Sequence, residues 1–247
     1  RAHRAAADEE SLALALAAIV DADEAALTAP GFSQLAADIE PAAGSTEHAR
    51  HLAYWREALH HAPPLAPVKG RGRAAAPIGF GLNRGPVGFV GVELAAPMLE
   101  GAERSDLEAL LLTAWMRSLS DAFSVPSLTV EVYHRFGSRG ADASLGPVAA
   151  SFPVVAANLS AAWSDTLGRV GKALRHGASH AALDTAALEA ALEDRLRKRS
   201  VALHQFGFAF AGTAAVASSA NEVKLSVLPL ASGLALRIEH DTDVIGS

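Results

Sequence analysis

Two short stretches of the sequence carry side chains that could move a proton. Residues 3–9 read His-Arg-Ala-Ala-Ala-Asp-Glu, and residues 131–135 read Glu-Val-Tyr-His-Arg. A neutral imidazole or a carboxylate can accept a proton near pH 7, whereas a guanidinium cannot, because its pKa exceeds about 12. Read alone, the first stretch is typical of a charged helix start. Its chemical meaning therefore depends on the elements that position it.

The second stretch lies at the end of a predicted strand. Apolar and polar residues alternate there, with Leu128, Val130 and Val132 on one face and Thr129 and Glu131 on the other. A loop rich in Gly, Ser and Asp follows over residues 137–146, and a second β-prone run ends in Phe-Pro-Val-Val at residues 152–155. A helix is predicted next, with one apolar face made of Trp163, Leu167, Val170 and Leu174.

Further elements surround this central unit. Apolar spacing predicts helices over residues 9–27 and about 32–39, and a third helix capped by Ser45 or Thr46 with an apolar side of Leu52, Trp55 and Leu59. A strand is predicted over 87–94. The capping-box pattern from Ser105 to Glu108 opens a helix that carries Leu107, Leu111, Trp115 and Leu119.

The C-terminal part begins with a helix from Asp184 or Thr185, whose acidic residues come early and whose basic residues come late, as the helix dipole favours. Strands are predicted over 206–210, 223–228 and 234–238, the last two joined as a hairpin through residues 231–233. Strands interleaved with amphipathic helices indicate an α/β fold in which helices pack against a sheet.

Composition excludes several classes of function. The net charge of −6 provides no basic footprint for nucleic acid, and the absence of Cys excludes disulfides and thiolate metal sites. The sequence contains no apolar run of about eighteen residues, so it predicts no membrane span. Since residue 1 is not Met and no signal peptide is visible, we expect a cytoplasmic fragment of a longer protein.

Other candidate motifs favour structural interpretations. His60-His61 lies at a predicted helix end, where polar residues are common. His176 and His180 have the i, i+4 spacing of metal ligands, but Gly177 weakens the helix between them and no acid is in register. The glycines at 79, 81 and 85 precede no helix start, and no Gly-x-Ser-x-Gly elbow is present.

The central stretch resembles the C-terminal lobe of the condensation/epimerisation superfamily of nonribosomal peptide synthetases. In the epimerisation branch, an Asp-Leu-Glu-Gly-His-Gly-Arg strand leads through an acidic loop to a Val-Gly-Trp-Phe-Thr…Phe-Pro-Val segment. Residues 131–135 match the first part, and residues 145–154 match the second. The resemblance implies a chloramphenicol-acetyltransferase-like α/β lobe with a mixed sheet. It also places Tyr133 where that branch has a catalytic Glu, although Glu131 is only one β-repeat away.

The N-terminal stretch resembles a degenerate form of the superfamily's His-His-x-x-x-Asp-Gly motif. His3 matches the first His and Asp8 the Asp, whereas Arg4 replaces the second His and Glu9 replaces the Gly. The resemblance implies a structural pair between Asp8 and an Arg of the central loop, with Arg139 or Arg135 as candidates. Because Arg4 and Tyr133 are both poor bases near pH 7, both proton-transfer groups are expected to be lost.

This combination is similar to the X domain of glycopeptide-antibiotic synthetases, which resembles a condensation domain without catalysing condensation or epimerisation. It implies recruitment of haem-thiolate (cytochrome P-450) oxygenases to a peptide on a peptidyl carrier protein. The chain itself would need no cofactor or metal, because phosphopantetheine belongs to the carrier and haem to the oxygenase. An active epimerisation or condensation domain, and a purely structural lobe, are the alternatives.

The predicted organisation has three parts. Residues 1–61 contain the degenerate motif and a helical segment that links two lobes, residues 62–86 form a linker or loop, and residues 87–247 form the C-terminal condensation-like lobe. The N-terminal lobe of the same domain is therefore an expected partner, together with the carrier protein and the oxygenases. Neither a nucleic acid nor a membrane is expected to bind.

Overall fold

The structure is a computed structural model that describes residues 44–64, 66, 87–95, 104–135, 149–182, 188, 203–210, 221–230 and 232–242. Within these ranges there are three helices, α1 (Thr46–Ala58), α2 (Arg104–Phe123) and α3 (Trp163–Ser179). The described strands are β1 (Val87–Ala95), β2 (Leu128–Arg135), β3 (Ala149–Ala156), β4 (Phe206–Phe210), β5 (Val223–Leu230) and β6 (Gly233–Asp241). The helices predicted at 9–27, 32–39 and from 184 onward lie outside the described residues, apart from Leu188.

Helix α1 forms where its cap and apolar spacing predict it. The Ser45 hydroxyl accepts a hydrogen bond from the His48 amide at 3.1 Å and satisfies one of the open amides of the first turn. The helix buries Trp55 and His51 on one side. Trp55, Leu59, Ala62 and Ala66 belong to the same hydrophobic core as the sheet. This segment is thus packed against the sheet through its apolar residues.

The six described strands form one mixed sheet in the order β1-β6-β5-β4-β2-β3. Strand β4 is parallel to β2 and to β5, and the other neighbours are antiparallel. Strands β5 and β6 form the predicted hairpin, but both run further than predicted, to Leu230 and Asp241. The extension of β6 has a structural reason, because β6 pairs along its length with β5 on one side and with β1 on the other.

The hydrophobic core lies between helices α2 and α3 and one face of the sheet. Its fully enclosed side chains are those that the alternation places on this face: Val130, Val132, Val154, Phe206, Phe208 and Val227 from the strands, and Leu112 and Met116 from α2. The predicted α/β class, with a mixed sheet packed against helices, is therefore confirmed. Among the described residues, no helix is long and apolar enough to cross a membrane.

Helix α3 continues through Gly177, where the sequence predicted a weakened helix. A Cβ atom at this position would come within 2.5 Å of the Phe152 ring on β3. The glycine therefore serves close packing of the helix on the sheet, which more than offsets its poor helix propensity of about 1 kcal/mol.

Candidate functional site

The predicted N-terminal motif, with His3, Arg4, Asp8 and Glu9, lies outside the described residues, and so does Arg139. Arg135 is the last residue of β2, and its side chain is also outside the description. Tyr133 and Glu131 lie on β2, and both are buried. The polar face of β2 is therefore the part of the predicted site that the structure describes.

This face is organised by the strand register. Glu131 pairs with Gly207 of β4, and Gly207 pairs with Lys224 of β5. Side chains of paired residues point to the same face of a sheet, so Glu131 and Lys224 face each other across a strand that contributes no side chain between them. A buried polar cluster, which we call the Glu131 cluster, lies over Gly207, where no side chain projects from β4.

The Glu131 carboxylate is the centre of this cluster, because four side-chain donors converge on it. The Ser151 hydroxyl donates to Oε1 at 2.7 Å. Oε2 lies 2.9 Å from both Asn221 Nδ2 and His204 Nδ1, and 3.1 Å from the Tyr133 hydroxyl. Since each carboxylate oxygen has two lone pairs, the three donors around Oε2 fully occupy that oxygen, while Ser151 occupies one lone pair of Oε1.

The cluster also sets the charge of Glu131. Burial by itself would raise the pKa of this carboxyl, but the hydrogen bond and the charge of His204, together with the bonds from Ser151 and Asn221, lower the pKa below its ordinary value of 4.5. Glu131 is therefore ionised at neutral pH, and its affinity for a proton is weaker than that of a free Glu. It is better suited to anchoring its neighbours than to general-base catalysis.

Tyr133 is held in the same cluster as a donor. Its hydroxyl lies 3.0 Å from Asn221 Oδ1 as well as 3.1 Å from Glu131, so its single proton is directed to acceptors within the protein. The Lys224 ammonium lies 4.9 Å from the centre of the Tyr133 ring, a cation–π arrangement, and Lys224 is completely buried. Tyr133 is thus fixed in place by a Lys, an Asn and a Glu.

Gly207 makes room for this arrangement. A Cβ atom on Gly207 would collide with Oδ1 of Asn221, the amide that bridges Tyr133 and Glu131. The Gly207 carbonyl also accepts a hydrogen bond from the Trp115 indole on α2 at 3.0 Å. The position connects the core side of the sheet to the polar cluster, and only glycine fits there without displacing the Asn221 side chain.

The segment around α1 is tied to the same end of the sheet. The Gln205 side chain donates to the Ala66 carbonyl at 3.0 Å and accepts from the Ala66 amide at 2.9 Å, as a neighbouring strand would. On the other side, the Trp55 indole donates to the His180 carbonyl at 3.0 Å. Gln205 directly follows His204, so the anchor of this segment adjoins the Glu131 cluster in sequence.

The histidine pairs take up structural positions. His180 caps the C-terminus of α3, and its ring stacks on Tyr54 with 4.0 Å between the centroids. Its Nδ1 lies 2.9 Å from the backbone carbonyl of His176. The rings of His60 and His61 contact each other edge to face after the end of α1. Within the described ranges, no group of three or more ligand-type residues could hold a metal ion.

Sequence reasoning identified Tyr133 and Glu131 but missed the residues that surround them. Ser151, His204, Asn221 and Lys224 were not singled out, because none of them belongs to a recognisable motif. One signal was available, since Lys224 and Ser226 alternate with Val223, Leu225 and Val227 in β5 and so indicated a polar face. The partners of that face depend on the strand order, which the sequence does not state.

No protein-family model and no curated protein sequence matches the chain. Solved structures do match in fold. The starter condensation domain of rhizomide synthetase aligns at 13% identity and a TM-score of 0.73, over 98% of this chain. The X-domain in complex with OxyB from teicoplanin biosynthesis aligns at 19% identity and a TM-score of 0.67, over 98% of this chain. The epimerization domain from the third module of tyrocidine synthetase B aligns at 14% identity and a TM-score of 0.69, over 97% of this chain.

These likenesses define the class of fold. The chain has the fold of these condensation, X and epimerization domains, as the sequence predicted. Condensation, epimerization and X domains match with similar scores, so the fold does not separate them. The chain spans 59%, 61% and 62% of the length of these three structures.

Proposed function

We propose that the chain is part of a non-catalytic, X-type condensation-like domain of a nonribosomal peptide synthetase, and that it recruits cytochrome P-450 oxygenases to a carrier-bound peptide. The X-domain from teicoplanin biosynthesis was solved in complex with OxyB, and its fold covers 98% of this chain. The proposed partners are the oxygenases, a peptidyl carrier protein and an N-terminal lobe of the same domain. Haem and phosphopantetheine would be supplied by the partners.

The observation that carries this proposal is the network of side-chain donors that lowers the pKa of the Glu131 carboxyl. A general base works best when its pKa lies near the working pH. Glu131 has four donors on its two oxygens and a pKa below its ordinary value, and Tyr133 offers a phenol that is already donating. The described lobe thus favours a scaffold over a proton-transfer site.

An active epimerisation domain is the second candidate. Glu131 and Tyr133 lie on the same face of β2, two residues apart, so a carboxylate is present close to the position where the epimerisation branch has its catalytic Glu. In this alternative, a substrate would approach Oε1, where Ser151 is the donor, or displace one of the donors at Oε2. A lobe with a structural role only is the third candidate, and it would show neither binding nor exchange.

Titration calorimetry of the protein with oxygenases encoded in the same pathway tests the recruitment. Binding is expected at low ionic strength, and it should weaken as salt rises through about 0.15 M, where exposed charges are screened beyond about 8 Å. A P-450 from an unrelated pathway is the control. Absence of binding to every oxygenase of the pathway at low salt would refute recruitment.

An exchange assay separates the enzyme from the scaffold. With a carrier-bound peptidyl thioester in deuterated water, the proposal expects no incorporation of deuterium at the α-carbon. If exchange occurs, the variant Glu131→Gln should abolish it, while Ser151→Ala should retain it because the carboxylate remains. That pattern would establish the epimerisation alternative in place of the scaffold.

A further inference from the structure

Strand β1 forms the edge of the described sheet. It pairs with β6 over nine residues, from Val87 opposite Asp241 to Ala95 opposite Gly233, and no other described strand pairs with it. An edge strand presents a row of backbone donors and acceptors that can extend the sheet into another chain. Proteins usually protect such an edge with lysines, prolines or bulges, but β1 contains only one charged residue, Glu93, and an unbroken register.

The side chains of β1 are unusually exposed for their type. Phe89, Val90 and Val92 are 54%, 59% and 57% exposed, the highest values among the large apolar residues of the described chain. Phe89 lies on one face of the sheet and the two valines lie on the other, so each face of this edge presents exposed apolar surface. Apolar surface gathered at a strand edge indicates an association site.

We propose that β1 pairs antiparallel with β1 of a second copy of the chain, about a twofold axis at Gly91, so that two six-stranded sheets join into one. In this register, residue 89 of one copy lies opposite residue 93 of the other, and residue 90 lies opposite residue 92. Val90 then meets Val92 of the second copy on one face, twice by symmetry. The glycines at the axis let the two backbones meet without side chains between them.

Charge complementarity favours the same register. The Arg237 guanidinium lies over the Phe89 ring, 4.0 Å from its centroid. Glu93 of the second copy would lie directly opposite Phe89 and therefore beside Arg237. Within one copy, Glu93 is exposed and forms no ion pair with any residue that the structure describes, while Arg237 contacts Glu239 at 3.6 Å. The dimer would give Glu93 an opposite charge at both symmetry-related positions.

A second copy fits this edge better than an unrelated strand, because the edge is complementary to itself. The nine residues of β1 supply the apolar side chains and the acidic Glu93, and the neighbouring strand β6 supplies the basic Arg237. Each copy therefore offers the groups that the other copy needs. An isologous contact of this kind closes after two copies, so it protects the edge from further addition. Sedimentation velocity over a concentration series of the protein should reveal a reversible monomer–dimer equilibrium.

Two charge reversals test the register. Glu93→Arg places an arginine beside Arg237 of the other copy at each of the two symmetry-related contacts, and Arg237→Glu places a glutamate beside Glu93 of the other copy at each of them. Each variant alone should dimerise roughly ten- to thirty-fold more weakly, since two exposed ion pairs become two repulsive contacts. An equimolar mixture of the two variants should regain dimers, because both cross-contacts in the mixed dimer are attractive. A folding defect in either variant would not be rescued by mixing.

Two further variants complete the test. Val90→Lys, at a largely exposed position, should also weaken the dimer, because it puts a charge opposite Val92. Glu57→Arg, an exposed charge reversal on α1, should leave the dimer unchanged. A protein that stays monomeric at every concentration would overturn the proposal. So would a dimer that survives Glu93→Arg, a mixture that fails to reassociate, or a non-closing series of higher oligomers, which would indicate another pairing.

Discussion

Replacement of Glu131 by Gln should strongly destabilise the protein. The amide keeps the shape of the carboxylate but removes its charge, so the bonds from His204, Asn221, Tyr133 and Ser151 lose their ionised acceptor. A hydrogen bond to a charged group contributes about 1.5–3 kcal/mol and a neutral one about 1 kcal/mol. Breaking a buried ionic cluster through one partner costs about 3–5 kcal/mol. We expect a loss of about 3 kcal/mol in the free energy of unfolding.

The assay is urea unfolding followed by tryptophan fluorescence and by circular dichroism. With a slope of about 2–3 kcal/mol per molar urea, the midpoint should fall by about 1 M, and the slope itself should not change. The matched control is Glu47→Gln. Glu47 is 63% exposed and contacts Arg50 at 3.4 Å, so its loss should cost less than about 0.5 kcal/mol.

The pH dependence provides an independent check of the same cluster. The pKa of Glu131 in the folded protein is below its ordinary value of 4.5. Its stabilising contribution is therefore fully present above about pH 4.5 and is lost as the pH falls through the folded pKa. The difference between wild type and Glu131→Gln should be constant at neutral pH and should shrink in acid. A loss below about 1 kcal/mol at pH 7, or a difference that does not shrink, would refute the central role of this carboxylate.

Three smaller perturbations test the supports of the site. Gly207→Ala should destabilise by about 1–3 kcal/mol, since its Cβ would displace Asn221, and unfolding by urea will measure this. Trp55→Phe should cost about 1–2 kcal/mol in the same assay, because the His180 carbonyl loses its donor. The pKa of His51 is below its ordinary value of 6.5, lowered by burial and by nearby His180, so the free energy of unfolding should fall as the pH drops below about 6.5. In His51→Leu, the urea midpoint should therefore change less between about pH 7 and 5.5 than it does in the wild type.

The elements of the fold could largely be predicted because they depend on neighbouring residues. The alternation in β2 placed Val130 and Val132 on the core face and Glu131 on the other, and the structure has both faces as predicted. Ser45 was available as the cap of α1, and it accepts the expected amide bond. Caps, apolar periodicity and turn residues act over a few positions, so the sequence contains the information that they need.

The partners of the site could not be predicted, because they come together only through the order of the strands. Asn221 is 90 residues from Glu131 along the chain, and Ser151 is 20 residues from it. No local pattern indicates that β4 inserts between β2 and β5, or that Gly207 leaves space for an amide above it. The sequence by itself determined that Glu131 and Tyr133 share the polar face of one strand. Only the tertiary structure decided that Glu131 is a buried anchor with a lowered pKa, since a carboxylate's basicity depends on the donors and the burial around it.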